Sequence, residues 1–265
     1  MSNQTSDNNV NSEEYITSYT LYTDVVSASN MITKIINEIK GNCWVLRSII
    51  PTIYFNFHYL PFRQAIKLPI ILYKPHLKLM KGSITIHGAV TTGMIRLGNN
   101  QVSIYPNSGI MLELRGKIIF YGKCSIGNNS YITTGNKSIL EIGKNFCATT
   151  TLRLVCYDHV RFNDNVLVGW NCLFMDTDFH RLTRSDGKRV KGYGPISIGS
   201  NTWIANGCRI MKNTIVPDNI VIAAYTVLAG KVDANEKTVI GNEHQCKVLV
   251  RDRWLDIDDM VISYE

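Results

Sequence analysis

Six histidines are spread along this chain, and one of them, His180, stands where it could move a proton. It closes the run Phe174-Met175-Asp176-Thr177-Asp178-Phe179-His180, with two carboxylates two and four residues ahead of it. An imidazole of ordinary pKa, ~6.5, is mostly neutral at pH 7 and can take a proton from a hydroxyl. A nearby carboxylate favours the imidazolium that results, so Asp176 and Asp178 read either as orienting groups and hydroxyl partners or as residues that solubilise the loop and cap its turns. Trp170 and Tyr193 bracket the stretch and offer flat aromatic surface to a ligand, or simply pack against the fold. His58, His76, His87, His159 and His244 have no comparable setting. A zinc centre would need a third histidine beside His159 and His180, and the repeat described below supplies none, so no metal is expected.

Composition narrows the chemistry further. The 265 residues are 45% apolar and 18% charged, enough to build one large core and too apolar for a disordered chain. The formal charge of +7 allows an anionic ligand, but the basic residues are scattered and no nucleic-acid motif accompanies them. No run approaches the ~18 apolar residues of a membrane span. Residues Met1–Glu14 lack the basic lead and apolar stretch of a secretory signal. Seven cysteines, odd in number and never in C-x-x-C, point to reduced thiols and a cytoplasmic protein.

The elements that must position His180 show themselves as a period of six. From Ile198 the positions Ile198, Ile204, Ile210, Val216, Ile222, Leu228, Ala234 and Ile240 are all aliphatic. Shorter runs precede them: Leu114, Phe120, Ile126, Ile132; Ile142, Ala148, Leu154; Phe162, Val168, Phe174. Glycine or asparagine often follows, as at Ile126-Gly127, Phe162-Asn163 and Ile240-Gly241, and both residues tolerate the positive φ of a tight turn. One inward residue every six, with a turn between, describes triangular coils of three short parallel strands stacked at ~4.8 Å. Eighteen ladder positions predict about six coils over 76–250. The ladder lapses across Met175–Tyr193, so 175–197 reads as an extruded loop, the usual place for function on a rigid repeat. Ahead of the coils, 14–75 reads as a cap: a short helix within Ser29–Ile49 and irregular strands over Tyr54–Tyr73. Residues 1–13 read as a disordered tail and 251–265 as a second tail.

The ladder, the loop around His180 and the return Gly194-Pro195-Ile196-Ser197-Ile198-Gly199-Ser200-Asn201-Thr202-Trp203-Ile204 together resemble the hexapeptide-repeat acyltransferases. The likeness is greatest to galactoside and maltose O-acetyltransferases and to O-acetyltransferases of bacterial surface polysaccharides. It implies an all-β fold, a left-handed parallel β-helix with an N-terminal helix-plus-strand cap. It also implies transfer of acetyl from acetyl-CoA to a hydroxyl of a sugar or polysaccharide precursor, with His180 as general base and the Asn206 backbone amide holding the oxyanion.

By the same resemblance CoA lies along Trp203, Ala205, Asn206, Ala223, Ala224, Ala229 and Gly230, with Lys231 and Lys247 toward its phosphates. The segment Gly241–Lys247 carries two more residues than the family's usual Gly-Asn-Pro-Ala-Lys. Acceptor contacts fall to Thr149, Trp170, Asp176, Asp178 and Tyr193. Thr149 stands where the galactoside branch has an asparagine, so a different acceptor is expected. The resemblance further implies a homotrimer with sites between subunits. Two other readings stay open: N-acetylation of an amino-sugar nucleotide, and a non-catalytic β-helix that serves assembly.

Overall fold

The computed structural model describes residues 46–242 and the short strand Trp254–Leu255. The tail over 1–13 and nearly all of the helix within Ser29–Ile49 lie outside these residues, as do Lys247 and His244. The described part is a left-handed parallel β-helix of three sheets. Sheet A takes Ile70–Leu72, Ile95–Asn99, Cys124–Gly127, Phe146–Ala148, Leu167–Val168, Trp203–Ile204, Ile220–Ile222 and Thr238–Ile240. Sheet B takes Pro75–Met80, Ile110–Leu114, Ser130–Thr134, Arg153–Cys156, Leu173–Met175, Arg209–Met211 and Val227–Leu228. Sheet C takes Ser83–Ile86, Lys117–Phe120, Ile139–Ile142, His159–Phe162, Ile196–Ile198 and Ile215–Val216. The chain passes A to B to C in each coil, so every strand pairs with the strand one coil away. Six coils have all three strands, a seventh has two plus an isolated Ile215–Lys231 bridge, and Thr238–Ile240 opens an eighth.

Strand registers bear out most of the ladder and extend it, but the Ile215–Lys231 bridge sets Val232 rather than Ala234 beside Val216, because the turn after Leu228 is two residues shorter. In sheet A, Leu72, Leu97, Ile126, Ala148, Val168, Ile204, Ile222 and Ile240 stand in one row. In sheet C the row is Ile86, Phe120, Ile142, Phe162, Ile198 and Val216. The sheet B row begins Leu77, Leu112, Ile132, so Leu114 is not its member: it stands opposite Met80, two residues further along. Leu112 and Leu114 are both buried, which is why a count by six picked the wrong one. Three phenyl rings fill the middle of the prism, Phe146 against Phe162 at 4.7 Å and Phe162 against Phe174 at 4.9 Å between centroids. Burying a ring of this size contributes on the order of 2–3 kcal/mol.

At the corner between sheets C and A the turn residues Asn145, Asn165, Asn201 and Asn219 all have φ between +54° and +59°. Their side chains hydrogen-bond to one another up the stack. Asn145 donates to Asn165 (3.0 Å), Asn165 to Asn201 (2.9 Å) and Asn201 to Asn219 (3.0 Å), and Asn219 donates to the Glu236 carboxylate (3.1 Å).

The cap differs from expectation. In place of irregular strands from Tyr54, helix α1 spans Leu46–Tyr59, with a short turn α2 at Phe62–Ala65, and the first coil begins at Ile70 rather than 76. A β-rich composition yields to helix here because of three polar residues spaced by four. Ser48 Oγ accepts from Lys74 N–H (2.9 Å), Thr52 Oγ1 accepts from Leu72 N–H (3.0 Å), and Asn56 exchanges two bonds with Ile70 (2.7 and 3.1 Å). Four helical residues rise ~6.0 Å and two strand residues ~6.6 Å, so a polar helix stripe can stand in for a missing strand. The open edge of sheet A is thereby closed. No described helix is long and apolar enough to cross a membrane.

Candidate active site

The segment carrying His180 leaves the prism between sheets B and C of the fifth coil. Met175 is still paired in sheet B and Ile196 already in sheet C, so the extruded part is 176–195 rather than 175–197. It is not structureless. Leu182–Thr183 pairs antiparallel with Arg189–Val190 and with Trp254–Leu255, so the C-terminal tail contributes a strand that the sequence did not announce. Its root is closed by the Thr177–Tyr193 bridge and by Gly194 N–H donating to Asp176 O (2.9 Å).

Asp176 is fully buried, and its two carboxylate oxygens accept from the backbone N–H groups of Tyr157 (2.7 Å) and Asp158 (2.8 Å) in the coil below. It therefore pins the loop. Burial pushes its carboxyl up to about 6, against the opposing pull of those two N–H groups. Asp178 pairs with Lys212 of the sixth coil, and its N–H donates to Gly192 O (2.7 Å). Both predicted orienting carboxylates thus serve the loop's attachment. Thr177 Oγ1 accepts from Phe179 N–H (3.0 Å), and Phe179 has φ +60° with its ring edge-on to Tyr157 at 5.0 Å. Such a φ is uncommon for an aromatic residue and is held only where the surroundings over-determine it. His180 follows directly, half-buried, between this turn and the hairpin.

Tyr193 and Trp170, the predicted aromatic floor, are each 37% exposed, and the Lys191 ammonium sits 4.1 Å from the Tyr193 ring centre. Lys191 also reaches Asp158 (3.7 Å). Lys191 and Lys212 escaped the sequence reading because each meets its carboxylate across more than thirty residues of chain, a separation no local spacing reveals. Thr149 Oγ1 is buried without a partner among the described residues.

Asn206 lies on another edge, the corner between sheets A and B in the sixth coil. There the carbonyls of Thr150, Trp170 and Asn206 accept from Asn171, Gly207 and Tyr225, one coil to the next (3.2, 2.9 and 2.9 Å). The Asn206 N–H itself donates to no acceptor among the described residues. Gly169 is the neighbour that leaves it room, since a Cβ at 169 would fall 2.7 Å from the Asn206 nitrogen. Trp203, half-exposed, stands on the outer face of sheet A between Leu167 and Val221. Ala205 and Ala223 donate their N–H groups to Ile222 O (2.9 Å) and Ile240 O (2.8 Å), and their carbonyls accept from the buried thiols of Cys172 (3.2 Å) and Cys208 (3.1 Å). Ala224 is exposed beside them. Ala229, Gly230 and Lys231 fall elsewhere, at the B–C corner of the seventh coil, on the edge from which the His180 loop emerges. The predicted residues thus form two groups on two edges of sheet B.

No family model matches the chain. The galactoside O-acetyltransferase of Escherichia coli (strain K12) is 28% identical over 144 residues, covering 52% of this chain and 68% of that enzyme. Among solved structures, the polySia specific acetyltransferase NeuO aligns over 71% of this chain and 75% of its own, at 15% identity and a TM-score of 0.38. The polysialic acid O-acetyltransferase OatWY aligns over 66% and 92%, at 16% identity and a TM-score of 0.30. At such scores the fold rests on the strand registers above.

Proposed function

Taking the chain as an acyltransferase of the hexapeptide-repeat family, we propose that it O-acetylates a sugar of a surface polysaccharide or its precursor, with acetyl-CoA as donor. His180 takes the proton of the acceptor hydroxyl as the oxygen attacks the thioester carbonyl. The Asn206 N–H holds the negative charge that develops on the carbonyl oxygen. Collapse expels the CoA thiolate, and the imidazolium returns its proton to that sulfur. The observation that carries the reading is the Asn206 N–H: a backbone donor with no acceptor among the described residues, beside Gly169. A donor fixed by the fold needs no reorganisation when charge appears.

Trp203, Ala205, Ala223 and Ala224 continue that edge as the bed of the pantetheine arm, and Lys231, on the B–C edge, meets the nucleotide phosphates from the neighbouring protomer. Because the loop root and Asn206 belong to different edges of one prism, the complete site draws on two protomers of a trimer. His180 of one faces the A–B corner of its neighbour. Dependence on acetyl-CoA and buried, unbridged thiols favour the cytoplasm.

Changing His180 to Ala is the test. Turnover is expected to fall ~10²–10⁴-fold while CoA still raises the melting temperature. An Ala variant that acetylates as fast as the parent removes the base assignment.

A further inference from the structure

The corner that carries the His180 loop has a second feature three coils nearer the cap. A cleft of about 300 Å³ lies at the B–C corner of the first three coils and is bordered by Lys81, Arg115, Lys117 and Lys137, with no carboxylate in its lining. Glycines make the trough. A Cβ at Gly82 would fall 2.1 Å from Gly116 O, and one at Gly116 would fall 2.5 Å from Gly135 O, so these turns nest on bare backbone and leave the flanking cations as walls.

The charges along this edge divide sharply. In coils four to six the cations are matched, Lys191 to Asp158 and Lys212 to Asp178. Around the cleft in the first three coils Arg115 is matched to Glu113 at 2.6 Å. Lys81, Lys117 and Lys137 make no ion pair among the described residues and are exposed. On the adjoining face of sheet C, Glu141 is already held by Tyr121 (2.6 Å) and His159 (2.8 Å). Three unmatched ammonium groups around a concave, acid-free surface suit an anion whose charges repeat. They lie ~14 Å along the same edge from the root of the loop, three rungs at ~4.8 Å.

We propose that this cleft binds the anionic groups of an acidic glycan, holding a charged sugar several units away from the one presented to His180. The inference rests on the acetyl-transfer reading and deepens it by naming the acceptor as a polyanionic sugar chain. Exposed ion pairs of this kind are individually weak, so the cleft acts through several at once and is sensitive to salt.

The test measures binding without acetyl-CoA, using fluorescently labelled polysialic acid of about ten sugars, a neutral dextran of equal length, and an RNA oligonucleotide of equal charge. The full-length parent is compared with the triple variant Lys81→Glu, Lys117→Glu, Lys137→Glu and with the milder triple glutamine variant. Melting temperatures within about 3 °C of the parent verify folding. The parent is expected to bind polysialic acid and not dextran, and both variants to lose at least ~10-fold in affinity. Equal binding by parent and folded variants overturns the proposal, as does no binding by the parent or tighter binding of RNA than glycan. Acetyl transfer assayed in parallel separates the two readings. Transfer to a neutral sugar without glycan binding removes the cleft and keeps the enzyme. Lysine-dependent glycan binding with no transfer to any acceptor does the reverse.

Discussion

Asp176 gives the sharpest handle on how the loop is held. Its carboxyl has no access to water, and its folded-state pKa of about 6 stands well above the ordinary 3.8. The difference disfavours the charged form by about 3 kcal/mol. The sign follows from proton counting. Between about pH 4 and pH 6 the folded protein holds a proton that the unfolded chain has released, so stability declines as pH rises through that window and levels off above it. Asp176→Asn removes this titration and keeps one acceptor for the two N–H groups of Tyr157 and Asp158. Urea denaturation of parent and variant at fixed protein concentration, in steps from pH 4 to pH 7.5, gives the difference curve, in which all other groups cancel. The parent is expected to lose about 3 kcal/mol relative to the variant across that range. A flat difference curve refutes the reasoning. A curve that rises with pH refutes it more strongly, because the two N–H donors would then outweigh burial.

Other expectations follow from the same geometry. Phe162→Ala removes the middle ring of the internal column and is expected to cost ~3–5 kcal/mol, read from the denaturation midpoint; a loss under 1 kcal/mol would mean the coils collapse around the gap. Gly169→Ala drives a methyl to 2.7 Å from the Asn206 nitrogen. Turnover is expected to drop at least ~10²-fold, the low end for loss of an oxyanion donor, in a protein that still melts cooperatively. Unchanged turnover would take Asn206 out of the mechanism.

What the sequence made legible was the regular part of the fold. From Ile126 onward most ladder residues follow one another at six, with longer steps from Ile132 to Ile142 and from Leu154 to Phe162, so counting by six finds most of the core and isolates the loop where the count lapses. The first coils were hidden because Leu97 to Leu112 spans fifteen residues around a long loop, which breaks the phase. Helix α1 was hidden by Ile49, Ile50, Ile53, Tyr54 and Phe55, strand formers surrounding Pro51. The readable signal there was subtler: Ser48, Thr52 and Asn56 recur every fourth position and carry no burden of solubility, because all three are buried. At the site, His180 and Asn206 could be picked by likeness, while the sequence left open whether Asp176 and Asp178 serve chemistry or fasten the loop. Only contacts between distant coils distinguish the two.

The asparagine row on the C–A edge has a consequence for the molecule as a whole. Glu236 can accept but cannot donate, so Asn219 must turn its nitrogen toward it, which leaves its oxygen for Asn201. The same choice is then forced on Asn201, Asn165 and Asn145 in succession. One carboxylate dictates the sense of four amides over ~19 Å, four rungs of the stack. The prism consequently has a head and a tail in its side chains: small dipoles all aimed one way, their positive end resting on a negative charge, much as peptide dipoles align in a helix.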